Sequence, residues 1–483
     1  MKKSIIFILF IIFSLISTFD VPDELKDICP NKCNRYDYCI KEKKRCEYKG
    51  FFPIYPLELL ELLAMMVSSA LATACGIGGG TVYSSIILGV QEFEPSRAFP
   101  IANCLILCCG FVTYIASVLD KYEHPTNKFV HYDIAIIFGP SMLLGAKFGT
   151  IINKIFPTTL LMIGLLFLLC YTINKTYLNI LKAKAKEEKI LGPLNQMNKN
   201  ENIKNDFKTE MNKTETLISD YNNNTEIITP IEDINNYTTK TLTEDEKKLL
   251  NEDLDPLNWD RIIFIGILEI IVIIDQLIEG NSKLPSFLGI RKCSFLYWLT
   301  FLIYIGISIY FINLAITKVK EHIYLRKSID PKFTSEVIEK VEENTNHVIF
   351  MAIIAGIVSS SLGIGGGMIT NPVFASLGLE PKESSSTSNF LIVVTAIAST
   401  FLFTFAGQLD INFAVSVGIP CTLSALCGSF FILRYINQTG RSSILLVIME
   451  YFLVASLVIA VFKAIQDFSD YGFKNLIQFK GYC

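Results

Sequence analysis

Two charge-free apolar runs, Leu62–Val90 and Val348–Leu379, are too long for one straight membrane crossing, and each is interrupted by the same five residues: Gly76-Ile-Gly-Gly-Gly80 and Gly363-Ile-Gly-Gly-Gly367. A bilayer core of about 30 Å is spanned by roughly 20 helical residues. Runs on the order of 30 residues would rise roughly 45 Å at about 1.5 Å each. Each run is therefore expected to hold a helix, an unwound turn and a second, short or re-entrant helix. Backbone of that kind is tolerated at membrane depth only where protein buries it or a cavity hydrates it.

Eight further apolar segments bring the total to ten: Ala98–Leu119, Ile134–Asn153, Ile155–Asn174, Ile262–Leu277, Phe295–Thr317, Ser384–Leu409, Ile411–Leu433 and Ser442–Phe462. With 51% hydrophobic and 18% charged residues and a mean hydropathy of +0.42, the chain reads as an all-α polytopic membrane protein. The glycine breaks open an internal repeat that continues downstream. Glu94-Pro95 and Glu380-Pro381 are each followed by an asparagine at the same spacing, Asn103 and Asn389. Further on, each half has an acid at the mouth of a span (Asp133, Asp410), a membrane proline (Pro140, Pro420) and a small-residue patch ending in Gly149 or Gly428. Two repeats of four to five transmembrane segments with glycine-broken helices, residues 57–178 and 346–464, account for this pattern. They are joined by a disordered Asn-rich linker (179–258), two linking helices (259–317) and a cytoplasmic loop (318–345), with a tail at 465–483. Duplication of this kind characterises helical transporters, whose substrate binds near the midplane at discontinuous helices.

The N-terminus, Met1-Lys-Lys-Ser before the apolar run Ile5 to Ile16, reads as a secretory signal over residues 1–18, or as an uncleaved anchor. The segment 19–56 that follows contains Cys29, Cys33, Cys39 and Cys46, expected to form two disulfides on an extracytosolic side. A zinc knuckle is the weaker reading, because the spacing lacks paired C-x2-C. A net charge of −3 and four histidines exclude a basic nucleic-acid footprint and offer little for an imidazole metal site. No cofactor, no metal and no nucleic acid are expected. Lysines 182, 184, 186 and 189, and Lys318, Lys320, Arg326 and Lys327, place the linker and the loop after Thr317 in the cytoplasm by the positive-inside rule. If each broken segment crosses twice, the second half is inverted relative to the first. If the breaks are re-entrant, the repeats are expected to be parallel.

The paired Gly-Ile-Gly-Gly-Gly motifs, His131-Tyr-Asp-Ile-Ala through Pro140, Leu143-Leu-Gly-Ala-Lys-Phe-Gly149 and Gly440-Arg-Ser-Ser443 resemble the eukaryotic branch of the sulfite exporter TauE/SafE family of membrane transporters. The resemblance runs from about Leu57 to Lys463 and implies movement of sulfite, organosulfonates or related small anions. The first repeat departs from the second in having Ser84-Ser85 where the second has Asn371-Pro372.

The residues themselves suit an anion. Glycines admit a ligand to the backbone, and the amides that start a half-helix are unsatisfied donors at the positive end of a dipole. The candidate substrate-binding residues are Gly78, Gly79, Gly80, Asn103, Gly365, Gly366, Gly367, Asn371, Thr387, Asn389 and Lys147, with Thr81 and Thr370 as weaker candidates. The plainer alternatives are close helix packing for the glycines, N-capping for Ser96 and Ser384 and snorkelling to the interface for Lys147. Glu269 and Asp275, outside the repeats, either relay protons or pair with basic neighbours. The expected function is a secondary transporter of small sulfur-containing anions, alternating access between the two repeats. It would work with the lipid bilayer and a coupling ion as partners, in the plasma membrane or an endomembrane. There is no G-x-x-x-x-G-K-[ST] loop for ATP, and no enzyme is implied. The alternative is a membrane sensor or scaffold derived from a transporter core.

Overall fold

The computed structural model describes residues 37–40, 45–48, 54, 56–75, 79–91, 93–123, 130–199, 257–280, 286–291, 293–329, 336–379, 381–432, 442–476 and 479. Apart from a small hairpin of β1 (Asp37–Ile40) and β2 (Arg45–Tyr48), the described chain is helical. The first repeat comprises α1 (Pro56–Cys75), α2 (Gly80–Val90), α3 (Pro95–Glu123), α4 (Tyr132–Ile155) and α5 (Thr158–Lys199). The linking helices are α6 (Trp259–Glu279) and α7 (Phe295–Ile329). After the short α8 (Glu336–Glu343), the second repeat follows as α9 (Thr345–Leu362), α10 (Gly367–Leu377), α11 (Pro381–Phe405), α12 (Ile411–Cys427, extended by a π-helical turn Gly428–Ile432) and α13 (Ser442–Leu476). Seven of the described helices are long and apolar enough to cross a membrane, and the protein is an integral, multi-pass membrane protein.

Three boundaries differ from the sequence reading. Helix α5 runs 42 residues, so 179–199 are helical rather than linker. Its Ala, Leu, Lys and Glu content favours helix even where it is too polar for a bilayer. For the same reason α7 continues through Ile329, and α8 fills part of what was expected to be loop. In the Cys-rich segment, Cys39 and Cys46 stand directly opposite each other in the hairpin, while Cys29 and Cys33 lie outside the described residues. Cys293, between α6 and α7, is disulfide-bonded.

Both glycine breaks are re-entrant. Helix α2 doubles back along α1, so that Gln91 Nε2, just past its end, donates to Glu61 Oε2 near the start of α1 at 2.5 Å. Helix α10 likewise returns toward the start of its own half, and a Cβ added at Gly378 would lie 3.7 Å from Lys340 Nζ on α8. The repeats are nevertheless inverted, against the expectation tied to re-entrant breaks. Helix α3 runs antiparallel to its counterpart α11, with Tyr114 against Phe390 (ring centroids 5.3 Å) and Gly110 against Val393. Each hairpin returns to the side from which it entered and adds no net crossing, so the direction of a half is set by the three helices after it, α3 to α5 and α11 to α13, an odd number that reverses direction.

The halves also exchange a helix. Helix α4 of the first repeat packs parallel to α9, with Gly145 and Gly149 on the α9 backbone, Gly356 on Met142 of α4, and Asn153 Nδ2 donating to Ser361 O at 2.8 Å. Reciprocally, α12 lies parallel to α1: Ser69 Oγ donates to Cys421 O (2.8 Å), Ser424 Oγ to Met66 O (2.6 Å), and Gly428 sits on Ala70. Small residues here let backbones touch, which is how helices associate when lipid removes the hydrophobic drive. The two buried cores follow the exchange. One joins α1, α2, α3, α5, α12 and α13, with Leu362, Met368, Ile392 and Ala396 reaching into it from the second repeat, and the other joins α4, α6, α7, α8, α9, α10 and α11.

Candidate functional site

The inverted arrangement carries the two glycine turns to one place. Gly79 (φ +65°), Gly363 (φ +60°) and Gly365 (φ +72°) adopt left-handed backbone that L side chains rarely accept. A Cβ on Gly80 would lie 2.5 Å from the backbone of Ile364, so the turns of the two repeats are in direct contact. A hydrogen bond fastens them: Ser84 Oγ on α2 donates to Gly363 O at 2.8 Å. The equivalent position in the second repeat, Asn371, accepts instead from Ser384 Oγ at 3.3 Å. The halves are thus not equivalent at the site, and Ser84-Ser85 against Asn371-Pro372 was the sequence sign of it.

Both short helices start at these turns. Val82 and Tyr83 N–H bond back to Gly79 O, and Ile369 and Thr370 N–H to Gly366 O. The amides of Gly80, Thr81, Gly367 and Met368 therefore lack intrahelical acceptors. Two positive helix ends converge at the contact between the repeats, an arrangement that favours negative charge.

Around the turns stands a shell of neutral polar groups. Asn103 Nδ2 donates to Phe99 O (3.1 Å) and Ser360 O (3.4 Å), while its Oδ1 is buried without a partner, as are Oδ1 of Asn153 and Oγ1 of Thr81. Ser360 and Ser399 share a hydroxyl contact at 2.5 Å. Thr370 pairs with Ser388, and its Oγ1 donates to Gly366 O at 3.2 Å. Asn389 is buried on the same helix as Ser388. Hydroxyls rotate to donate or accept as needed, so this shell can follow a ligand. In the conformation described, side chains close the turns. Ile106 and its repeat counterpart Ile392 lie against Gly365, and Met142 Cε would be 2.5 Å from a Cβ at Gly366.

Of the sequence-derived candidates, Gly79, Gly80, Gly365, Gly366, Gly367 and Asn103 meet at this centre, with Asn389 one residue beyond Ser388. Gly78 lies outside the described residues. Thr387 accepts the His131 backbone N–H at 3.0 Å and so ties α11 to the start of α4. Lys147 is elsewhere and does not snorkel. Its side chain is 3% exposed, bonded to Asp275 and, at 2.9 Å, to Glu279, both on α6. With its charge met by two carboxylates, it faces the linking helices rather than the glycine turns. Sequence reading had not singled out Asn153 or the serines Ser360 and Ser399. Their only signal is a polar residue inside an apolar run, which many structural serines share.

A carboxylate meets a basic side chain at each end of the contact between repeats. Arg97, in the first turn of α3, meets Asp410, which caps α12 by accepting from Phe413 N–H. At the other end Glu383, which occupies the position in α11 that Arg97 holds in α3, lies 3.2 Å from His131 before α4.

A model of the family described as "Sulfite exporter TauE/SafE" matches residues 3–176 and 286–459. Three proteins of Arabidopsis thaliana are similar along most of the chain. Sulfite exporter TauE/SafE family protein 3 is 23% identical over 455 residues, covering 91% of this chain and 87% of its own. Family protein 1 is 21% identical over 393 residues (78% and 77%), and family protein 2 is 22% identical over 429 (87% and 86%). No solved structure matches.

Proposed function

The chain belongs to the sulfite exporter TauE/SafE family of membrane transporters, and we propose that it carries small sulfur oxyanions by alternating access, binding them where the two glycine turns meet. The observation that carries this reading is the convergence of two helix N-termini, one from each repeat, on glycine backbone that a ligand can approach. Hydrogen sulfite suits such a site: its oxygens accept from the amides, and its own proton answers the open Oδ1 of Asn103. Neutral donors also release what they bind. The Arg97–Asp410 and His131–Glu383 pairs close opposite ends of the inter-repeat contact, and the cycle breaks them in turn.

Sidedness follows from charge. The basic end of α5 and Arg326 and Lys327 on α7 share one end of the bundle, which is cytoplasmic by the positive-inside rule. The start of α1 and the disulfide-bonded Cys293 share the other, as an oxidising compartment requires.

The test is counterflow of labelled sulfite into proteoliposomes, with sulfate and taurine as competitors. Gly366→Leu places a side chain against the flexible end of Met142 rather than against backbone, so it fills the turn in a protein that still folds. Asn389→Ala removes an amide from the shell. Saturable flux that both variants lose supports the site. Sulfite binding without flux in any orientation would instead favour a sensor built on a transporter core.

A further inference from the structure

Helix α6 lies outside both blocks matched by the family model, yet it is tied to α4 by charge at each end. At the cytoplasmic end Arg261 bonds Asp133 at 2.9 Å, and His322 of α7 bonds the same carboxylate at 3.1 Å. At the other end Asp275 and Glu279 hold Lys147. Between these anchors, on the same face of α6, sits Glu269. It is 8% exposed, and neither of its carboxylate oxygens has a hydrogen-bond partner. An ionised carboxylate buried there without a counter-charge costs several kcal/mol.

We propose that Glu269 is a proton-binding site and that α6 and α7 form the proton path that couples anion movement to a pH gradient. The groups facing it from each packed element are few. Helix α4 offers Lys147 and, a long way toward the cytoplasm, Asp133. Helix α11 has no ionisable residue between Ser384 and Phe405. Helix α7 offers Tyr304, with Tyr297 before it and, toward the cytoplasmic end, Lys318 (Nζ 5.2 Å from the Phe264 ring centroid of α6), His322 and the buried Arg326. Tyr304 is the intermediary. Its hydroxyl donates to Leu143 O at 3.2 Å, and its ring centroid is 4.6 Å from Lys147 Nζ, the cation held by Asp275 and Glu279. A cleft lined by Lys147, Thr150, Gln276, Glu279, Tyr297 and Gln408 reaches this cluster from the end of α4 opposite Asp133. A proton enters by the cleft, exchanges at the Glu279 and Asp275 carboxylates, and passes by Tyr304 and water to Glu269. There one O–H bond forms, and the same bond breaks on release. Because α6 grips α4, and α4 packs on α9 beside the second glycine turn, the charge state of Glu269 bears on the helix that must move.

This rests on the transport reading, so the test has two arms. In proteoliposomes with an imposed pH gradient, Glu269→Gln loses gradient-driven accumulation of sulfite but keeps counterflow. Accumulation unchanged in that variant would overturn the proposal. In the second arm, infrared difference spectra of the protein in lipid are recorded across a pH series. A carbonyl-stretch band of a protonated carboxyl disappears in Glu269→Gln and survives in Asp275→Asn. A band from another buried carboxyl, such as Glu61 bonded to Gln91, would be the same in both variants. If wild-type protein moves no sulfite, the anion reading fails, and the infrared arm alone decides the proton site. A band untouched by Glu269→Gln refutes it.

Discussion

Replacing Lys147 by Met tests whether the charge cluster between α4 and α6 is a structural commitment. Lys147 Nζ lies 2.9 Å from Glu279 Oε1 and also bonds Asp275, and the three side chains are 3%, 4% and 10% exposed. Lys327 and Glu339 show the same 2.9 Å separation at 46% and 43% exposure, which makes them an internal control. Breaking a buried pair by removing one partner costs on the order of 3–5 kcal/mol, because the other charge stays buried and uncompensated. An exposed pair is worth about 0–1 kcal/mol. Lys147→Met is therefore expected to destabilise the protein by several kcal/mol and Lys327→Ala by almost nothing. The triple change Lys147→Met, Asp275→Asn, Glu279→Gln should recover most of the loss, since near-isosteric neutral groups replace the acids. The measurement is denaturant unfolding in mixed micelles followed by tryptophan fluorescence. The two tryptophans, Trp259 and Trp298, open α6 and α7 and report from the helices concerned. Equal midpoints for Lys147→Met and Lys327→Ala, or a triple variant no better than the single, would refute the reasoning.

Three further outcomes are expected. Gly145→Leu drives a side chain into the Ile353 carbonyl of α9; backbone cannot yield as a side-chain end can, so the variant should lose the monodisperse peak in size-exclusion chromatography that Gly366→Leu keeps. Asn103→Ala leaves Ser360 O without its donor and removes a site amide, and should raise the half-saturating sulfite concentration in counterflow more than it lowers the maximal rate. Arg97→Cys combined with Asp410→Cys should, on oxidation, lock one end of the inter-repeat contact and stop flux, with recovery on reduction; undiminished flux in fully cross-linked protein would remove these residues from the gate.

How much of this was legible beforehand depends on the distance over which each feature is encoded. The glycine breaks are local, and the overlong runs Leu62–Val90 and Val348–Leu379 announced broken helices because length and hydropathy are properties of consecutive residues. The duplication was equally plain from Asn103 and Asn389 at matched spacing. The partners of Lys147 were not. Asp275 and Glu279 belong to a helix outside the repeats, separated from Lys147 by the long linker, and no spacing rule relates residues so far apart. A lysine six residues from a polar span end looks the same whether it snorkels or is buried, and only the tertiary position of α6 decides between the two.

The direction of the second half shows the same limit and also why the fold works. Hydropathy cannot distinguish a break that completes a crossing from one that turns back, because both present an apolar run with glycines inside. The choice rests on contacts such as Gln91 with Glu61, thirty residues apart. Once the breaks turn back, each hairpin adds no net crossing and an odd number of helices follows it, so the halves enter the bundle from opposite ends. Two hairpins entering from opposite ends bring their turns together in the interior, and each helix dipole then points its positive end at the other's turn. Parallel repeats would have set both turns at the same end, with no reason to meet. The inversion is thus what converts two separate glycine motifs into one shared centre, and the exchange packs α4 on α9 and α12 on α1, so each repeat holds a helix of the other beside that centre.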